Sequence, residues 1–296
     1  MGNMKYFLML SFIACSLIVF GQPASDTVYK PVVYPAGYSA QLNAVYATIK
    51  EWDGKMDIYY SSASNKATPV IINIHGGGWN HGVKESQSGF NTFFKVGFAV
   101  ANIEYRLTGQ ATAPAAIEDT RCALIYLIKN AKSLNIDINK IYIMGGSSGG
   151  HLALMGGLLA NNHLFDTNCK GVEYIKVAAI IDKYGIADVG DWAYGPNITS
   201  KSAINWLGDK AKDEKFISSV SPITWVNKDS PPIFIVHGNA DPTVPYQQSV
   251  ELHKKLVSVG VKTEFMTVEG GVHGKFTKEK NAEISEAILK FIAEIK

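Results

Sequence analysis

The feature that most constrains this 296-residue chain is a junction. A strand-like run, residues 140–144, passes through Gly145-Gly146-Ser147-Ser148-Gly149-Gly150 directly into an apolar stretch with helical spacing, residues 149–160. Glycines relieve crowding where a strand turns sharply into a helix, and such a turn lifts a serine above the end of a sheet. The spacing G-x-S-x-G fits twice, with Ser147 between Gly145 and Gly149 or Ser148 between Gly146 and Gly150, and spacing alone does not choose. A phosphate-binding loop is the competing reading, but the run lacks a Gly-Lys-Ser/Thr ending and the glycine spacing of a dinucleotide site.

Short apolar runs at 69–74, 99–103, 140–144, 177–181, 233–236 and 263–268 read as strands, and 114–131, 149–160, 246–259 and 280–295 read as helices. Their alternation predicts an α/β fold with a mostly parallel central sheet covered by helices on both faces. Functional residues of such sheets lie beyond the carboxyl ends of the strands. With 47% hydrophobic and 18% charged residues, no repeat and no linker, one large domain is expected over 22–296. A formal net charge of +2 without a dense basic run argues against nucleic acid as a partner. Residues 187–228 break the alternation and carry Trp192, Tyr194, Trp206, Phe216 and Trp225. Such a segment reads either as an inserted lid or substrate-binding loop or as a surface excursion with its own aromatic core.

At the start of the chain, Lys5 precedes an apolar run, 6–20, and polarity changes abruptly after Gly21. This layout predicts a signal peptide, 1–21, and a secreted or periplasmic mature protein. The run is shorter than the roughly twenty residues of a membrane span, so no stable membrane association is expected. Export would permit a disulfide between Cys122 and Cys169, although a buried free thiol is the favoured reading of Cys122, which falls within an apolar helical pattern. His81, His151, His163, His237 and His253 show no paired ligand spacing, which predicts no metal site and assigns them structural or surface places.

Three more strand ends carry candidate chemistry. Run 69–74 ends in His75-Gly76-Gly77-Gly78-Trp79, whose backbone N–H groups can converge on a developing oxyanion. Run 233–236 leads to His237 and Asp241, and run 263–268 to Glu269 and His273. Ser147, Asp241 and His273 thus follow in the order serine, acid, histidine. Asp182, at another strand end, and Glu269 are rival acids.

With these motifs the sequence resembles the α/β-hydrolase esterase/lipase families related to hormone-sensitive lipase, and especially the secreted bacterial acetylxylan and feruloyl esterases. The resemblance runs from about Tyr46 to the C-terminus and also includes Glu104-Tyr105-Arg106-Leu107, the stretch 114–119, Ser221-Pro222-Ile223 and the stretch from His237 to Pro245. It implies Ser147 as nucleophile, Asp241 as acid and His273 as base. It further implies oxyanion donors at Gly77, Gly78 and Ser148, which replaces the commoner alanine, and a structural Arg106. The expected reaction is cofactor-free hydrolysis of a small-molecule or oligosaccharide ester through an acyl-enzyme, with Trp79, Trp192 and Trp206 offering substrate surface. An arylformamidase-like amidase, which shares the HGG-x-W turn, and a non-catalytic binding protein on the same fold are the alternatives.

Overall fold

The computed structural model describes residue 1 and residues 28–295 apart from 170 and 197, so the expected signal peptide lies outside the described residues. Strands β1 (Tyr38–Ile49), β2 (Trp52–Ser61), β3 (Thr68–Ile74), β4 (Ala99–Ile103), β5 (Ile136–Gly146), β6 (Ala179–Lys183), β7 (Ile233–Gly238) and β8 (Thr263–Val268) alternate, from β3 onward, with helices. The helices are α1 (Asn91–Lys95), α2 (Ala115–Lys129), α3 (Ser148–Leu158), α4 (Val189–Tyr194), α5 (Lys201–Leu207), α6 (Glu214–Ser219), α7 (Gln247–Ser258) and α8 (Lys278–Ala293). All eight strands form one sheet in the order β1-β2-β4-β3-β5-β6-β7-β8. The pairs β1–β2 and β2–β4 are antiparallel, and the others are parallel. The architecture is that of an α/β-hydrolase.

Successive side chains of a strand point to opposite faces, and the sheet uses both. Val70, Ile72 and Ile74 of β3 join an apolar cluster with Ile117 of α2, Leu152 of α3 and Leu252 of α7, while Ile71 joins Phe93 of α1 and Phe291 of α8 on the other side. Strands covered on both faces are continuous apolar runs, and the six runs read as strands in the sequence are the parallel strands β3 to β8. The hairpin β1–β2 went unread because β1 buries only Ala44 and Tyr46 and the buried stretch of β2, Met56 to Tyr59, is interrupted by Asp57, so no continuous apolar run marks either strand.

Residues 187–228 form α4, α5, α6 and two short 3-10 turns. Helices of six or seven residues are marginal alone, and each of these three begins on a side-chain cap, Asp188, Ser200 or Asp213. Their inner faces do not make a separate aromatic core: Val189, Trp192, Ala203, Trp206 and Val220 belong to the cluster that packs on the sheet.

Cys122 is not a free thiol. It is bonded to Cys169 with the two Cα atoms 5.3 Å apart, because the segment after α3 folds back over α2. The adjacent Arg121 guanidinium, fully buried, holds the same segment through Asp166 at 2.7 and 2.8 Å. Closing a 47-residue separation in the unfolded chain stabilises the fold by about 4 kcal/mol in the chain-entropy picture. Among the described residues no helix is long and apolar enough to cross a membrane.

Candidate active site

The turn between β5 and α3 distinguishes the two serines. Ser147 caps α3 with φ 58° and ψ −126°, a conformation that a non-glycine residue adopts only when its surroundings enforce it. Close backbone contact supplies the enforcement: a Cβ on Gly145 would stand 2.1 Å from the Gly149 carbonyl oxygen, and one on Gly149 would stand 2.3 Å from that of Ile74. The Ser147 amide donates to Lys183 O of β6 at 3.0 Å, tying the turn to the neighbouring strand. Ser147 lines a cleft of about 700 Å³ at the carboxyl ends of the strands. Ser148 is fully buried, with its hydroxyl 3.4 Å from that of Tyr105.

His273, in the loop after β8, places Nε2 2.9 Å from Ser147 Oγ and Nδ1 2.6 Å from Asp241 Oδ2. The carboxylate only accepts, so Nδ1 carries the hydrogen and Nε2 turns its lone pair toward the serine hydroxyl. Asp241 Oδ1 accepts from the amides of Thr243 and Val244 at 2.7 and 3.0 Å. A second histidine shares Oδ2: His237 Nε2 lies 3.2 Å from it and 3.1 Å from Val244 O, and its Nδ1 meets Ser249 Oγ at 2.7 Å. A carbonyl cannot donate, so His237 Nε2 bears the hydrogen and Nδ1 accepts from the Ser249 hydroxyl. Burial disfavours the charged form of Asp241, but the hydrogen bonds from His237 and His273, followed by that of the Thr243 amide, outweigh it and hold the carboxyl well below its ordinary value.

Gly77 and Gly78 line the cleft opposite, at φ 125° and 57°. Among the described residues no backbone acceptor takes their amide hydrogens. Ser148 opens α3, where the first amides have no intrahelical partner. The turn rests on His75, which stacks on Tyr105 with centroids 4.3 Å apart and whose Nδ1 lies 2.8 Å from Gly76 O. Burial lowers its pKa to about 4, which keeps the ring neutral. The arrangement has the parts of an acyl-transfer site: a hydroxyl on a strained turn, an oriented imidazole and free amides beside them.

Neither rival acid reaches His273. Asp182 is fully buried beneath the turn, with Oδ1 on the Gly185 amide at 3.0 Å and Oδ2 without a partner among the described residues. Glu269 is exposed and accepts from Asn239 Nδ2 at 2.6 Å. Arg106 lies outside the cleft, with its guanidinium on Asp119 and Glu118. The three tryptophans require correction: Trp79 and Trp206 are 0% exposed and stack on each other with centroids 4.2 Å apart, and Trp192 is 3% exposed, so none offers a ring face to a substrate. Trp192 is buried in the cleft wall, its indole N–H donating to Thr243 O at 2.9 Å. Sequence reasoning missed Tyr184, whose ring stands edge-on to His273 at 5.0 Å, and the contact of His237 with Asp241. The available signals were position: Tyr184 directly follows β6, and His237 stands near the end of β7, four residues before Asp241. Among the described residues no group of three His, Cys, Asp or Glu is arranged to hold a metal ion.

Comparison with known proteins adds the lineage. The chain is similar to the esterase LipQ of Mycobacterium tuberculosis, 26% identical over 244 residues that cover 79% of this chain and 57% of LipQ. It spans about half the length of the curated relatives that it matches, 57%, 53% and 43% of three mycobacterial proteins. Among solved structures, a truncated carbohydrate esterase from gut microbiota superposes with a TM-score of 0.74 at 29% identity, covering 92% of this chain and 99% of that one. A bifunctional GH43-CE protein of Bacteroides eggerthii gives a TM-score of 0.71 at 27% identity over 85% of this chain and 38% of its own. The BD-FAE family model matches residues 56–256, and the chain belongs to this family of α/β-hydrolases.

Proposed function

We propose that this protein is an exported serine carboxylesterase that removes acetyl or feruloyl groups from sugars of plant polysaccharides. The observation that carries the reading is the unbroken hydrogen-bonded chain from Ser147 Oγ through His273 to Asp241, at 2.9 and 2.6 Å, opening on the cleft. Ser147 Oγ attacks the ester carbonyl while His273 Nε2 takes its proton, and the amides of Gly77, Gly78 and Ser148 receive the oxyanion. Collapse expels the alcohol, which takes the proton back from Nε2 and leaves an acyl-serine. Water, deprotonated by the same nitrogen, then releases the acid. Asp241 orients the imidazole and stabilises its cationic form.

The substrate class is supported by the esterase and carbohydrate esterase relatives and by the polar residues Thr199, Ser202 and Thr243 in the lining of the cleft. A few convergent polar groups in a concave site suit the hydroxyls of a sugar. Export is supported by the layout of residues 1–21 and by the Cys122–Cys169 disulfide, a bond that persists in oxidising compartments.

The deciding comparison measures specificity constants for acetylated xylo-oligosaccharide, methyl ferulate and a long-chain aryl ester, with Ser147→Ala and Ser148→Ala beside the wild type. Ser147→Ala should lose a factor of about a thousand or more, whereas Ser148→Ala keeps its backbone donor and most of its activity. A dead Ser148→Ala would move the nucleophile, and preference for the long chain would remove the sugar assignment while leaving an esterase.

A further inference from the structure

The cleft carries an unbalanced charge. Of the described residues that line it, Lys183 and Lys201 are lysines and none is aspartate or glutamate. Lys201 is exposed, while Lys183 is partly buried at the end of β6. Its backbone is fixed beside the serine turn: Lys183 is in register with Gly146 of β5, and its carbonyl accepts the Ser147 amide at 3.0 Å.

Among the described residues the Lys183 ammonium has neither a carboxylate nor a hydrogen-bond acceptor. The nearby acids are engaged elsewhere, Asp241 by His237 and His273 and Asp182 by the Gly185 amide. Burial pushes the ammonium below its ordinary value, as happens to a cation that has lost water without gaining an anion. The ammonium is nevertheless not among the sealed polar atoms, and Lys183 is one of the residues that line the cleft. A cation left in this condition gains most from a ligand that brings the missing charge, because an ionic hydrogen bond is stronger where water is scarce.

We propose that Lys183 is a specificity-determining residue that receives a carboxylate carried by the substrate, so that the cleft favours an anionic ester over its neutral counterpart. This rests on the esterase reading and narrows it. The carboxylate can stand on the alcohol side, as in an acylated uronic acid, or at the far end of the acyl group, as in a dicarboxylic half-ester. Both place the same group near the ammonium.

Matched pairs test it: acetylated methyl galactosiduronate, with its carboxylate free, against acetylated methyl galactoside, and 4-nitrophenyl hemisuccinate against 4-nitrophenyl butyrate, for wild type, Lys183→Met and Lys183→Arg. In the wild type the anionic member of one pair should have the higher specificity constant by about tenfold or more, the size expected of one charge-assisted hydrogen bond. That pair identifies the side that bears the charge. The ratio should fall to near one in Lys183→Met and persist in part in Lys183→Arg, which keeps the cation. Equal rates within both pairs, or a preference that survives Lys183→Met, would overturn the inference while leaving the esterase standing. If no ester is turned over, the esterase reading fails and binding decides instead. Ser147→Ala titrated calorimetrically with methyl galactosiduronate and with 4-nitrophenyl hemisuccinate should bind one of them more tightly than the neutral partner, and Ser147→Ala/Lys183→Met should not. No difference between the two proteins overturns the inference here as well.

Discussion

Asp182 and Asp241 hold the same functional group at the ends of neighbouring strands, and the sequence offers both as partners for a histidine. Asp241 sits in a loop that turns two amides onto one oxygen and two imidazoles onto the other. Asp182 lies inside β6, fully buried, with a single amide donor and one oxygen unpartnered among the described residues. Donors outweigh burial at Asp241, and burial outweighs its one donor at Asp182, whose pKa is raised to about 7. The difference teaches that the number of hydrogens a loop can aim at a carboxylate, rather than its place after a strand, decides which acid serves an imidazole as an anion.

The largest effect should come from removing the charge at Asp241. Asp241→Asn keeps the shape but leaves His273 without its anionic partner and able to adopt the wrong tautomer, and turnover should fall by about ten-thousandfold. Asp182→Asn, compared at equal folded fraction, should change turnover only a few-fold. Steady-state kinetics on one activated ester ranks the two, and the reverse order would assign the acid to Asp182.

A smaller effect isolates the second imidazole on Asp241. His237→Gln removes a donor from Oδ2 and disturbs the contacts with Val244 O and Ser249 Oγ. If His237 positions the carboxylate, kcat should drop by about tenfold to a hundredfold with KM little changed. A lowered melting temperature with unchanged kcat per folded molecule would reduce His237 to a structural role.

Buried apolar runs made β3 to β7 legible, the half-buried edge strand β8 showed a weaker run, and the glycines around Ser147 and after His75 marked the strand ends where the cleft lies. Other features depend on contacts between distant segments. Gly145 to Gly150 serve Ser147 and Ser148 equally by spacing; the resemblance favoured Ser147, and the backbone dihedrals and the reach of His273 separate the two physically. Aromatic content drew attention to Trp79, Trp192 and Trp206 without saying which way each ring turns, and all three turn into the core. Cys122 looked like one more small apolar residue of a helix because its partner lies 47 residues away, on a segment with no secondary-structure signal. His237 has the pattern of any strand-end histidine until the loop folds Asp241 back onto it.

The smallest effect is one of stability, and it separates the two carboxylates without any substrate. An aspartate in the unfolded chain titrates near pH 3.9, whereas Asp182 in the fold titrates at about 7. Between these values the folded state holds a proton that the unfolded state has lost, so stability falls as pH rises through this window and levels off above it. His75 and His151, lowered by burial to about 4, act in the opposite direction, since the unfolded imidazoles gain protons as pH falls below about 6.5 and the folded ones do not. The overall stability curve therefore mixes the two signs, but the difference between wild type and Asp182→Asn cancels the histidines. Asparagine has no charge to bury, so the melting temperature of Asp182→Asn relative to wild type should rise by several degrees between pH 5 and pH 8 and then stay level. An increment that does not change with pH would mean that Asp182 is ionised in the fold throughout, and the contrast with Asp241 would lose its physical basis.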